Sequence, residues 1–167
     1  MRNWGWAAMP VLSVGVLIIG VLAVYLMRSA SNDGGGLKGS ISAAAVTRGR
    51  MAYERYCASC HGKQLQGQAD WKSPLPNGRL PAPPHDANGH TWHHPDVILV
   101  GITRRGLKPY VSQDYENDMP AFEGILTEEQ IGDILSFIKS TWPERERDYQ
   151  REMTDRTPTD PVTPGVK

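Results

Sequence analysis

Cys57 and Cys60 are the only cysteines in a chain of 167 residues, and His61 follows them directly in the run CASCH. Two thiols three positions apart lie about one helical turn apart, on one face of a helix. This restricts the chemistry open to them. A structural zinc site takes four ligands, commonly from two Cys pairs. There is no second pair here, and only histidines remain to complete such a site. A thioredoxin-like redox pair expects a βαβ setting, whereas these flanks read as a helix and then a loop. A disulfide would close a very small ring and leave His61 without a part.

The remaining pattern is C-x-x-C-H as a c-type haem attachment site. Two thiols one turn apart reach the two vinyl groups of one porphyrin, and the adjacent imidazole reaches its iron. Composition agrees with a bound group at the centre of the domain. Phe, Tyr and Trp make up 8% of the chain, beside 17 Gly and 13 Pro, so a soluble domain cut from it is short of core-forming side chains. Lys and Arg total 18 and Asp and Glu total 18, which gives no net charge to attract nucleic acid.

The chain divides by composition. Residues 1–28 hold an uncharged run from Trp4 to Met27, longer than the roughly 20 apolar residues that cross a bilayer. Trp4, Trp6 and Tyr25 suit its two interfaces. A cleavable signal peptide has an apolar region of only about 7–15 residues, so a retained transmembrane helix is expected, although Ser29-Ala30-Ser31 would accept cleavage. Residues 29–45 are rich in Gly, Ser and Ala and read as a flexible linker, with a mean reach of roughly 20–24 Å. Residues 46–142 carry the folded segment. Residues 143–167 form a charged, Pro-rich tail, expected as a short solvent-exposed helix and a disordered end.

Within the folded segment, VTRGRMAYERY reads as a helix entering the cysteine motif. Residues 95–106 open with Pro95 and Asp96 and stop at Gly106, which predicts a short helix. Thr127 and Gln130 form a capping box. Behind it, Ile131, Ile134, Leu135 and Ile138 give the apolar stripe of an amphipathic helix that ends before Pro143. No stretch alternates, so strands should be few.

These residues together resemble the class I, single-haem c-type cytochromes over about residues 46–142. Gly49 and Tyr53 stand ahead of CASCH as that family's Gly and aromatic do, where the first helix crosses the last. Phe137 matches the aromatic of the last helix. DMPAF, residues 118–122, looks like the family's Met-Pro ligand loop. The resemblance implies an all-α fold of three to five helices around one covalently bound haem c, here preceded by one N-terminal transmembrane helix. It implies a one-electron carrier, not an enzyme. Cys57 and Cys60 would hold the porphyrin, with His61 and Met119 as axial ligands to the haem iron. Of the six methionines, Met1, Met9 and Met27 lie in the anchor and Met153 in the tail. Met51 is on the helix that enters the motif, too close to Cys57 to reach the opposite haem face. Arg79 and Trp92 are candidates for the propionate side. The loop between residues 67 and 84 is long, and the proline whose carbonyl orients the ligating imidazole in this family has two candidates here, Pro74 and Pro76.

Two features stand outside that pattern. His85, His90, His93 and His94 fall within ten residues; one of them could replace Met119, or several could bind copper or zinc. Asp114, Glu116, Asp118 and Glu123 surround Met119 without a basic residue among them, and read as a solvated loop or as an acidic docking rim for a basic redox partner. The expected function is a membrane-tethered electron-transfer cytochrome c, single-pass in a bacterial inner membrane with its haem domain in the periplasm. It would shuttle electrons between redox protein partners such as a membrane oxidase, reductase or dehydrogenase. The alternatives are a fixed haem subunit of such a complex, a haem peroxidase, or a copper-handling protein using His85–His94.

Overall fold

The computed structural model describes residues 41–157. Five α-helices appear among them: α1 (Ala43–Tyr56), α2 (Ala58–His61), α3 (Asp96–Arg105), α4 (Glu128–Ser140) and α5 (Glu144–Arg156). Short 3-10 turns occupy Thr91–His93 and Lys108–Tyr110. The described residues contain no strand, and none of their helices is long and apolar enough to cross a membrane. The transmembrane helix expected within residues 1–28 lies outside the described residues.

Helix α1 starts inside the stretch read as linker. Ser42 is its N-cap, and its hydroxyl accepts the Ala45 N–H at 3.1 Å, satisfying one of the free donors of the first turn. Helix α4 has the expected capping box: Thr127 Oγ1 accepts from the Gln130 N–H, and Gln130 Oε1 accepts from the Thr127 N–H. Ile131, Ile134, Leu135 and Ile138 are all buried, as the stripe predicts. Helix α3 carries Asp96 in its first turn and Arg104 and Arg105 in its last, the arrangement that opposes its dipole favourably. It stops at Gly106, whose φ of +75° suits glycine.

The fold is organised by the crossing of α1 and α4. At Gly49 the two backbones approach so closely that an added Cβ would lie 1.8 Å from the Asp133 carbonyl oxygen. One turn further along, the rings of Tyr53 and Phe137 meet with centroids 5.4 Å apart. The crossing expected from Gly49, Tyr53 and Phe137 is therefore present, and Tyr53 is fully buried in it.

Helix α5 differs from expectation. The helix is there, but one face is buried rather than solvated. Glu146 and Gln150 are both buried. Gln150 Nε2 donates to the His94 carbonyl at 3.2 Å and to Asp96 Oδ1 at 2.6 Å, and the Asp96 N–H donates to Thr154 Oγ1 at 3.0 Å. Lys139 of α4 pairs with the same Asp96 carboxylate. The helix lacks an apolar stripe because it docks through polar atoms, and a reading based on apolar periodicity passes over such a face.

Candidate functional site

Cys57 ends α1 and begins α2, the single turn that carries Cys60 and His61. The His61 N–H donates to the Cys57 carbonyl at 3.0 Å, which winds the three residues into one turn. Both thiols are free; Cys57 is partly buried and Cys60 exposed. Burial, with Cys60 nearby, pushes the Cys57 thiol up to about 11, so it is held protonated.

His61 is buried, at 9% exposure, and its Nδ1 lies 2.8 Å from the Pro83 carbonyl oxygen. A carbonyl can only accept, so Nδ1 carries the proton and donates. Burial lowers the pKa of this imidazole, and the Pro83 bond offsets that only in part. The ring is thus a neutral imidazole with its Nε2 lone pair free. A ligating histidine anchored through its other nitrogen has this form.

The anchoring carbonyl belongs to neither Pro74 nor Pro76. A local turn closes over residues 75–79, with the Leu75 N–H donating to the Arg79 carbonyl at 2.8 Å. Gln68 and Ala82 then bond to each other, the Gln68 N–H to the Ala82 carbonyl and the Ala82 N–H to Gln68 Oε1. The long loop is an excursion that returns to its own base, and Pro83 is the residue it brings back beside His61. Counting along the chain from His61 cannot see that closure.

A family model for cytochrome c matches residues 46–142. The chain belongs to the cytochrome c family. Membership brings a covalently bound haem c and electron transfer as its general activity. No curated protein and no solved structure matches the chain.

The residues of this cytochrome c domain fit the group. Two free thiols and a neutral imidazole stand on one turn. Trp92 Nε1 is buried with no hydrogen-bond partner among the described residues. Such an orphaned donor is uncommon in proteins, and a propionate is a partner of the right chemistry. Arg79, the other propionate-side candidate, is engaged with carboxylates. It pairs with Asp118 and, at 3.5 Å, with Glu116. Lys108 also reaches Glu116 at 3.5 Å. Two of the four acids around Met119, read as a solvated loop or a docking rim, are therefore ion-paired.

Met119 is partly buried. Its N–H donates to Asn117 Oδ1 at 3.1 Å. Downstream, the N–H groups of Phe122 and Glu123 donate to the carbonyls of Thr103 and Arg104. The Met119 loop is thus tied to the end of α3 on one side and through Asp118 to Arg79 on the other.

The four clustered histidines do not share one environment, although His90 and His94 meet edge-on with centroids 5.4 Å apart. His90 stacks on Trp71 with centroids 5.7 Å apart, and His93 stacks on Trp92 at 3.6 Å. His85 lies against His61 itself, centroids 4.0 Å apart. Among the described residues no group of three or more His, Cys, Asp or Glu side chains is disposed to hold a metal ion. The copper or zinc reading of His85, His90, His93 and His94 accordingly has no constellation behind it. The role of His85 beside His61 was not legible beforehand, though its place directly after Pro83 and Pro84 was a usable signal once Pro83 was known to face His61.

Proposed function

We propose that this chain is a membrane-tethered, single-haem cytochrome passing single electrons between membrane or periplasmic redox proteins. Cys57 and Cys60 would hold the porphyrin through thioethers, and His61 and Met119 would hold its iron. The observation that carries the reading is the bond from His61 Nδ1 to the Pro83 carbonyl at 2.8 Å. It leaves Nε2 as a fixed, neutral donor on the same turn as two free thiols. When bound, haem c supplies an iron that takes up and gives back one electron. Met119 adds a thioether ligand, which raises the potential relative to bis-histidine ligation. With His61 and Met119 both holding the iron, no position would remain for a substrate, which favours a carrier over a peroxidase.

The membrane part rests on sequence. The uncharged run from Trp4 to Met27 has the length of a span. A linker over residues 29–45 would confine the haem domain near the bilayer and raise its effective concentration for membrane partners. Haem attachment to C-x-x-C-H in this family takes place outside the bacterial inner membrane, so the domain belongs on the periplasmic side.

The test is an optical and redox titration of purified holoprotein, with acid-acetone extraction after denaturation. The colour should stay with the chain, and the oxidised iron should be low-spin and unresponsive to cyanide. Free extraction of the haem would sink the attachment, and cyanide binding would move the protein toward a peroxidase. Deleting residues 2–27 behind a cleavable signal should release a soluble cytochrome with an unchanged spectrum. Shortening the linker should slow reduction of a membrane partner; a full rate would favour a fixed subunit over a tethered carrier.

A further inference from the structure

The ring of His61 is touched on its face as well as at its edge. Pro83 accepts its Nδ1 proton, and two residues later the His85 imidazole lies parallel to it, centroids 4.0 Å apart and planes 25° apart. A hydrogen bond alone is a loose restraint on a ring plane. The terminal torsion of a histidine is broad, and carbonyl acceptors tolerate a wide spread of approach directions. A flat neighbour at van der Waals distance supplies the missing restraint, because any rocking of the first ring drives it into the second.

His85 can act as such a wall because it is itself held on several sides. Its N–H donates to the Leu65 carbonyl at 2.8 Å, and its carbonyl accepts Trp142 Nε1 at 2.7 Å. Its ring Nδ1 bonds Thr91 Oγ1 at 2.8 Å. The Tyr53 ring meets it edge-on, centroids 6.3 Å apart. Trp142, Thr91 and Tyr53 are all buried. Pro83 and Pro84, directly before it, have fixed φ and lend the backbone little freedom. An aliphatic side chain would fill this place without the desolvation cost of an imidazole. What the imidazole adds is a flat face and a polar atom with which Thr91 locks its rotation.

We propose that His85 is a positioning residue that sets the plane of the His61 ring, and through it the orientation of the axial imidazole. The proposal rests on His61 being the iron ligand. Its readout is the paramagnetic spectrum of the oxidised holoprotein, since the haem-methyl proton shifts and the electron paramagnetic resonance g-values follow the plane of the axial imidazole. His85→Leu keeps bulk and removes the flat wall; its haem-methyl shifts should move or split into more than one set. His85→Phe restores a flat face without the Thr91 bond and should return the shifts toward those of the native protein. Thr91→Val unlocks the His85 ring and should give a smaller displacement. Native shifts in His85→Leu would overturn the proposal, as would a displacement in His85→Phe as large as in His85→Leu. Should His85→Leu fail to yield holoprotein, native shifts in Thr91→Val overturn it instead. Pulsed resonance detection of an iron-bound imidazole nitrogen in the native protein separates the two levels: its absence removes both the ligand assignment and this inference, while its presence with insensitive variants removes the inference alone.

Discussion

The guanidinium of Arg48 grips the carboxylate of Asp133 with two bonds, Nε to Oδ2 at 2.6 Å and Nη2 to Oδ1 at 2.9 Å. The carboxylate is almost fully buried, while the arginine remains half exposed. The side-chain bond, then the attraction of Asp133, raises the Arg48 pKa. This two-pronged pairing sits directly over the point where Gly49 lets α1 touch the Asp133 backbone. Gly49→Ala should therefore destabilise the protein by about 1–3 kcal/mol or more, since the clash is with backbone and the helices must separate. Thermal unfolding of the holoprotein reads this, and an unchanged midpoint would show that the crossing is looser than 1.8 Å implies.

Met119→Ala should open an axial position. The near-infrared band of sulfur bound to iron should vanish and the reduction potential should fall. An unchanged spectrum would assign the sixth ligand elsewhere.

Arg79→Ala should loosen the Met119 loop without touching the thiols, because it releases Asp118 beside Met119. Exposed ion pairs contribute up to about 1 kcal/mol, so exogenous imidazole should displace Met119 at most about fivefold more readily. An optical titration with imidazole measures it; an affinity equal to that of the native protein would leave Arg79 no part in holding the loop.

The Asp96 carboxylate is buried and takes bonds from Lys139 and Gln150. Lys139→Met removes the positive partner and leaves that charge unpaired, a loss of about 3–5 kcal/mol for a buried pair. Chemical denaturation should show a loss of this order. Asp96→Asn combined with Lys139→Met should recover part of it, since neither member of this pair then carries a charge.

The imidazoles of His90 and His94 are both held below the usual histidine range, first by burial. His94 is lowered further by His90 and His93, and His90 by His93 and Lys72. The folded state therefore binds fewer protons than the unfolded chain below about pH 6.5. Stability is full above that pH and falls as the solution is acidified toward the folded-state values. His94→Gln should flatten this fall as the pH drops below about 6.5. Denaturation midpoints across that range check it, and parallel curves for the two proteins would exclude His94 as a contributor.

Much of this molecule was legible in its residues taken in order. The CASCH turn, the capping box of Thr127 and Gln130 and the Ile131–Ile138 stripe are local or periodic patterns, and each has a short-range physical cause that survives in sequence; the Gly49 crossing, which joins α1 to α4, was expected from the family resemblance. The haem followed from CASCH, and the all-helical fold from the family resemblance. Other features depend on where a loop returns and which polar atoms then meet. Pro83 reached His61 because Gln68 and Ala82 close the intervening loop. His85 came to lie on the His61 ring because Leu65, Thr91 and Trp142 hold it there. Gln150 buried α5 by bonding Asp96 and the His94 carbonyl across more than fifty positions of chain. Hydrogen bonds between residues so far apart leave no period in the sequence, because their partners are selected by the packed fold and not by spacing along the chain. The sequence by itself determined which group this domain binds; only the tertiary structure decided how the ring of His61 is held.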